Sequence, residues 1–341
     1  MPIKDEFDIS IVIPFYKREK YSTAILEAID NEAFHIGLKV ELIFVDSNSV
    51  PRLHDLLMEF PTKSKISIIV LNTENNISLK RNVGIDNAKS SKIILIDDDC
   101  IPSNNFILEH YNSLINNFNE KKIFSGIVKF DEKKIKSSNF VRYKDERHRR
   151  LDFIYRQKKN LSYYNFVSMN MSFNKNIDQP MQIRFDDNYA SYGLDDTQFA
   201  VDMISHGYSL DTTNATIIHQ ESTSIDLFYK KYKHFSQNYF FKFYTNNSKF
   251  LSTYQHHNYK KDYLLIIARL YYYLDSKLSF IRPLLFALSK IFSLLSYLLI
   301  LYLKISDRTV NLYSFSIYRL LTLFAILSSL LGKRYEPKDF M

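Results

Sequence analysis

The sequence predicts an α/β fold: a mostly parallel sheet flanked by helices, followed by a helical C-terminal extension. Three observations carry this. The first third of the 341-residue chain holds four continuous apolar, β-branched runs. Segments with apolar residues at helical spacing separate them, and a short polar stretch follows each run. Strands buried on both faces read as unbroken apolar runs, and helical crossovers between them keep those strands parallel.

The runs, in order, are Ile9 to Pro14 (ISIVIP), Val40 to Val45 (VELIFV), Ile66 to Leu71 (ISIIVL) and Lys92 to Ile96 (KIILI). Tyr21–Phe34, Arg52–Phe60 and Ser78–Ala88 are the helical segments between them. After about residue 121 the pattern changes. Ile123 to Phe130 and Phe166 to Phe173 read as further strands, and Thr197–Ser205 as a helix opened by Asp195 and Asp196. The charged stretch Lys133 to Asn160, with Arg147-His148-Arg149-Arg150 at its centre, reads as a solvated loop or as a lid able to hold phosphates. Beyond Ser224 the chain is helical, basic and rich in Tyr and Phe. Pro283–Leu303 and Thr309–Leu331 are each about long enough to cross a bilayer. Lys290 and Arg319 are charges that a true span would have to accommodate at a cost.

Composition narrows the function. Forty-six per cent hydrophobic residues exclude a disordered chain, and 45 Lys and Arg against 37 Asp and Glu leave a formal charge of +8. That balance suits an anionic partner: a phosphorylated substrate, an acidic membrane surface or nucleic acid. The single cysteine, Cys100, excludes an intrachain disulfide. The first residues lack an apolar stretch behind a basic one, so a cytoplasmic location is expected. The six glycines are too widely spaced for a G-x-G-x-x-G turn or a P-loop, so a nucleotide must be held some other way.

Ligands of such sheets bind beyond the carboxyl ends of the strands. The residues there are Phe15 to Arg18, Asp46 to Asn48, Asn72 to Asn75 and Asp97-Asp98-Asp99. Helix capping accounts for isolated Asp, Asn or Ser at such places, but not for three successive aspartates. On an extended chain Asp97 and Asp99 face the same way. Clustered carboxylates raise one another's pKa unless a cation neutralises them, and a hard divalent ion bridging to phosphates is the matching partner.

These pieces resemble the family 2 inverting glycosyltransferases of GT-A fold. The matching segments are ISIVIPFYKRE, LIFVDSNS, ISLKRNVGIDNA and ILIDDDCIP. The second half, S-Y-G-L-D-D-T-Q-F over Ser191 to Phe199, resembles the G-W-G-x-E-D-x-E-F motif of galactosyltransferase-like and chondroitin-polymerase-like members. It departs from that motif at Ser191, Tyr192, Asp195 and Gln198. Ile217-Ile218-His219-Gln220-Glu221 resembles their H-Q-E segment. The likeness covers about residues 7 to 225. It implies a nucleotide-sugar-binding half over 1–120 and an acceptor-binding and catalytic half over 121–225. Residues 226–341, outside the likeness, read from their helical, basic and apolar composition as a membrane-associated extension, with a soluble helical subdomain on the catalytic core as the alternative.

By the same resemblance, Pro14, Tyr16, Arg18, Asp46, Arg81, Asn82, Asp97 and Asn170 bind the donor. Asp99 and His219 hold Mn²⁺ or Mg²⁺, Asp196 is the general base and Asp195 orients the acceptor. The implied reaction is a single displacement with inversion. It moves a sugar from a nucleoside diphosphate, UDP foremost, to a glycan or lipid-linked acceptor at the inner face of the cell membrane, with no nucleic acid involved. Cys100 reads as a packing residue. A nucleotidyltransferase lacks its Gly-rich loop here. An inactive membrane-surface binding protein does not require the carboxylates, and nucleic-acid binding is disfavoured by acidic strand ends.

Overall fold

The structure is a computed structural model and describes residues 5–64, 66–156, 161–175, 183–189, 194–220, 224–254, 282–307 and 313–332. The chain divides into two compact units. The first comprises 1–131, 145–191 and 195–221, and the second 132–144, 192–194 and 222–341.

In the first unit, β1 (Ile9–Pro14), β2 (Val40–Asp46), β3 (Ser67–Asn72) and β4 (Lys92–Ile96) form within a residue or two of the four predicted runs. Helices α1 (Glu19–Ile36), α2 (Leu53–Met58) and α3 (Ile77–Asn87) lie between them in sequence. β1 pairs in parallel with β2 and β4, and β2 with β3. Every residue of β1 and β2 is buried, which is why these runs do not alternate. One glycine is needed for the close approach of α3: a Cβ on Gly84 would stand 2.2 Å from Val12 Cγ1 of β1.

The remaining strands are β5 (Cys100–Pro102), β6 (Lys122–Phe130), β7 (Asn170–Asn174) and β8 (Ser209–His219). With them comes one eight-stranded sheet in the order β3-β2-β1-β4-β7-β6-β8-β5. β7 lies antiparallel between β4 and β6, β8 is parallel to β6, and β5 is antiparallel to β8. The GT-A-type sheet, mostly parallel and flanked by helices, is therefore the fold of this chain. Helix α4 (Phe106–Asn116) packs on β8 and β7.

Two expectations are corrected. The predicted strand Phe166 to Phe173 forms only from Asn170. The charged stretch after Lys133 is helical rather than a loop as far as it is described. It comprises α5 (Glu132–Ser137) and α6 (Asn139–Arg156), and residues 157–160 lie outside the described residues. Its Lys, Arg and Glu are good helix formers, and buried Phe140, Val141 and Tyr143 supply the apolar stripe that holds α6 down.

In the second unit, α8 (Ile225–Asn238), α9 (Phe240–Asn246) and α10 (Ser248–Thr253) precede α11 (Arg282–Ser306) and α12 (Phe315–Gly332). The helical extension thus forms as predicted. Its core is aromatic: Phe140, Tyr143, Phe228 and Tyr318 cluster with Leu303 and Leu321. The Tyr143 and Tyr318 rings stack 4.6 Å apart. Asp307 caps the start of α6, accepting from Ser138 Oγ at 2.9 Å and Phe140 N at 2.8 Å.

Gly84→Ala is expected to lower stability by about 1–3 kcal/mol through overpacking against Val12. Val12→Ala in the same chain should restore part of the loss. A urea-denaturation double-mutant cycle reads this, and strictly additive losses would show that the two positions do not clash.

Candidate active site

The predicted site residues converge at the carboxyl ends of β1 and β4, where α3 and the start of α7 (Asp195–Ser205) bring in partners. Between Phe185 and Asp195 the chain also crosses Ser191-Tyr192-Gly193, which lie outside the described residues, as does Glu221.

Arg81 is the centre. On α3, 3% exposed, it reaches Asp97 Oδ1 at 3.1 Å, Asp195 Oδ2 at 2.8 Å and Asp196 Oδ1 at 3.6 Å. Its guanidinium carbon stands 4.9 Å from the centre of the Phe185 ring. The adjacent Asn82 fixes that ring's segment, donating to Phe185 O at 2.9 Å and Asp187 Oδ1 at 2.8 Å and accepting from Phe185 N. Asn82 is thus wholly occupied in positioning the 183–189 segment.

A second cation serves the other aspartates. Arg18 Nη1 lies 2.6 Å from Asp98 Oδ1 and 2.8 Å from Asp99 Oδ2. Asp98 Oδ2 accepts from the backbone N–H of Tyr16 at 2.7 Å. Burial, opposed by Arg18, pushes the Asp98 carboxyl up to about 6. Tyr16 presents a ring that is 43% exposed. Pro14, buried at the end of β1, sets up this turn, and Lys17 adopts a left-handed φ of 55°.

Asp46 is 2% exposed and accepts from Ser49 N at 2.8 Å and from the Ser49 hydroxyl, which closes the turn after β2. The Ser49 hydroxyl in turn accepts from Lys17 N at 3.0 Å, joining the first two strand ends.

Register brings in His219. Cys100 of β5 pairs with His219 of β8, and Gln220 N donates to Asp99 O at 2.7 Å. The result places His219 Nε2 3.3 Å from Asp99 Oδ2. His219 Nδ1 is buried with no hydrogen-bond partner, and donor atoms of Asp99, Cys100 and His219 all lie within 4.8 Å of one another. A carboxylate and an imidazole this close, one of hard oxygen and one of borderline nitrogen, are a donor set that fits a divalent cation.

Asp196 accepts a short hydrogen bond from the Ser168 hydroxyl. Burial and the neighbouring Asp195 push its carboxyl up to about 7, against the pull of Arg81. That value suits a proton acceptor near neutrality.

Asn170 is not brought to this group. It is fully buried in the sheet, donating to Ile127 O at 3.0 Å and Ala215 O at 2.9 Å and contacting His110 Nε2 at 2.8 Å. A bridging role between β7, β6 and β8 replaces the expected donor contact. Burial pushes His110 itself down to about 4.

Sequence reasoning missed two residues. Lys80 Nζ donates to Phe15 O at 2.6 Å, Ser47 Oγ at 3.0 Å and Asn75 Oδ1 at 3.2 Å, so it ties together three strand ends. Burial lowers its pKa. Its place beside Arg81 in ISLKRNVGIDNA was the available signal. Ser168 carried none, because its partner is 28 residues away.

The family model for glycosyl transferase family 2 matches residues 10–180. The chain belongs to glycosyl transferase family 2. The matched stretch of this family 2 chain includes Arg18, Arg81 and the three aspartates but ends before Asp195 and Asp196. Among curated proteins, the minor teichoic acid biosynthesis protein GgaB of Bacillus subtilis (strain 168) is 29% identical over 117 residues. That stretch is 32% of this chain and only 13% of GgaB. Among solved structures, S. aureus TarS matches with a TM-score of 0.45 at 12% identity, over 91% of this chain and 55% of that one. TarS 1-349 in complex with UDP gives 0.43 at 13%, over 92% and 90%.

Arg81→Gln is expected to cost about 2–4 kcal/mol, because it leaves three part-buried carboxylates without their counter-charge. In that variant Asp196, already raised by burial and Asp195, loses the opposing pull of Arg81 and holds its proton more tightly than in the unfolded chain. The variant's stability therefore falls as pH rises and partly recovers on going from pH 7.5 to 5. Denaturation at both pH values measures this, and a loss independent of pH would contradict it.

Proposed function

We propose that this chain is an inverting glycosyltransferase that moves a hexosyl- or hexosaminyl-type sugar from a UDP-linked donor to an acceptor hydroxyl. The observation that carries the reading is Arg81, which joins Asp97, at the donor end of the site, to Asp195 and Asp196 in one cleft. A phosphate-side group and a base must stand this close if one displacement is to couple them.

Asp196, near neutrality in proton affinity, takes the proton of the acceptor hydroxyl as its oxygen bonds to the anomeric carbon, and the bond to the diphosphate breaks. Asp195, held by Arg81, orients the acceptor. Tyr16 offers its exposed ring to the base of the nucleotide. Arg18 and Lys80 supply positive charge on the leaving-group side. Asp99 and His219 would hold Mn²⁺ or Mg²⁺, whose chemistry is neutralisation of diphosphate charge.

GgaB's role in teichoic acid biosynthesis supports an acceptor belonging to a surface polysaccharide or glycoconjugate. The basic balance of the chain is consistent with phosphate-rich partners.

Membrane association belongs to the same reading. Helices α11 and α12 are long and apolar enough to cross a membrane. On α11, Leu284, Ile291, Leu294, Leu298 and Ile305 are all more than half exposed. At 1.5 Å per residue, about 37 Å of α11 and about 27 Å of α12 bracket a hydrocarbon core of about 30 Å. Such a surface is matched by acyl chains and ill matched to water.

Release of nucleoside diphosphate from a panel of nucleotide sugars with Mn²⁺ tests the reaction. Asp196→Asn should lower kcat by about 10²–10⁴ while leaving donor KM near wild type. The wild-type rate should rise with pH through about 7 as Asp196 loses its proton. Wild-type turnover in Asp196→Asn would remove the base from the scheme.

Sedimentation with phosphatidylglycerol-containing vesicles tests the second part. Wild type should pellet, and Leu294→Asp with Leu298→Asp should weaken binding by about tenfold or more, since each buries an acid in hydrocarbon. Wild type left in the supernatant at both low and high salt would refute membrane association.

A further inference from the structure

The place of Arg18 raises a question the proposed reaction leaves open. Asp99 Oδ2 faces His219 Nε2 at 3.3 Å, as a shared ligand pair should, yet the same oxygen is 2.8 Å from Arg18 Nη1. A guanidinium that also grips Asp98 at 2.6 Å already supplies the charge a cation would bring. Two positive centres cannot share one carboxylate oxygen without strong repulsion.

We propose that Arg18 is a gate on the cation site: it occupies Asp99 in the free protein and gives it up when a diphosphate offers the guanidinium another partner. This rests on the reading of Asp99 and His219 as cation ligands.

Three features let Arg18 change partners. Its side chain is 37% exposed, unlike Arg81 at 3%, so it has room to swing. It sits at the amino end of α1, without a side-chain capping bond, so α1 need not unwind when it moves. Asp98 keeps the backbone N–H of Tyr16 after Arg18 leaves, so that buried carboxylate is not stranded. The guanidinium fork matches a phosphate as well as it matches two carboxylates. Cation and nucleotide then bind with positive coupling, because each removes an obstacle to the other. An empty site keeps its acids neutralised and takes up stray cations poorly.

The test is Mn²⁺ binding, read without turnover from the electron paramagnetic resonance signal of the free ion. Wild type, Arg18→Ala, Arg18→Gln, Lys17→Ala and Asp99→Asn are compared without nucleotide. Arg18→Gln keeps the first three side-chain carbons and a polar end, and stands in should Arg18→Ala not fold.

Removing the Arg18 charge should tighten Mn²⁺ binding about tenfold, the scale of one close charge at the protein surface. Lys17→Ala, which removes the same charge one residue away, should change it less than about twofold at 0.15 M salt. UDP should then tighten Mn²⁺ binding less in Arg18→Gln than in wild type. Equal Mn²⁺ affinity in wild type and both Arg18 variants, with binding lost in Asp99→Asn, would overturn the gate while leaving the cation site standing. Binding unaffected by Asp99→Asn would overturn the site and the gate together.

Discussion

The Arg81 guanidinium holds together carboxylates from two stretches of chain that would otherwise repel. Asp97 lies 16 residues beyond it and Asp195 lies 114 residues beyond. At 3% exposure the arginine is almost out of water, and the penalty for burying it is offset only because both acids reach it. Removing the guanidinium would leave the acids uncompensated. The Phe185 ring beneath the guanidinium, and Asn82 that holds this segment, set the arginine's position before any ligand arrives.

From that pairing the division of labour follows. Arg81 lowers the proton affinity of Asp196, while burial and Asp195 raise it, and the balance lies near neutrality. Arg18 does the corresponding work at Asp98 and Asp99, but from an exposed position. One cation is enclosed, and the other is part-exposed and, in the gate proposed for it, changes partners. A locked arginine preserves the geometry of the acids, and a mobile one can exchange carboxylate for phosphate.

The sheet supplies the rest. The antiparallel β7 between β4 and β6 lets Asn170 bridge three strands, and buried His110 completes that bridge. The short β5 pairs with β8 and so sets His219 beside Asp99. In the second unit the α11–α12 pair is held differently. Ser289 Oγ donates to Ser328 O at 2.9 Å, and a Cβ on Gly332 would meet Ser289 Oγ at 2.7 Å. Small residues that let two apolar helices approach closely are the packing device of helices in lipid.

Much of this was legible in one dimension. Period and composition determine the parallel first half, because a strand buried on both faces must be apolar throughout, as Ile9–Pro14 and Val40–Asp46 are. They also place Asp97, Asp98 and Asp99 at a strand end, and motif likeness picks out Arg81, Asp196 and His219. The charged stretch after Lys133 misled because its apolar stripe is sparse, and only packing against Phe228 and Tyr318 shows that Phe140 and Tyr143 are core residues. Asn170 was expected at the donor because the family likeness places a ligand-contacting polar residue at that point of SMNMSF. The third dimension shows that its partners are backbone carbonyls of other strands. Local sequence specifies which residues are charged, apolar or small, since these are properties of single side chains. Only the tertiary structure decided which charge faces which, because the partners of Arg81, Lys80 and Arg18 come from strand ends and helix starts far apart in the chain.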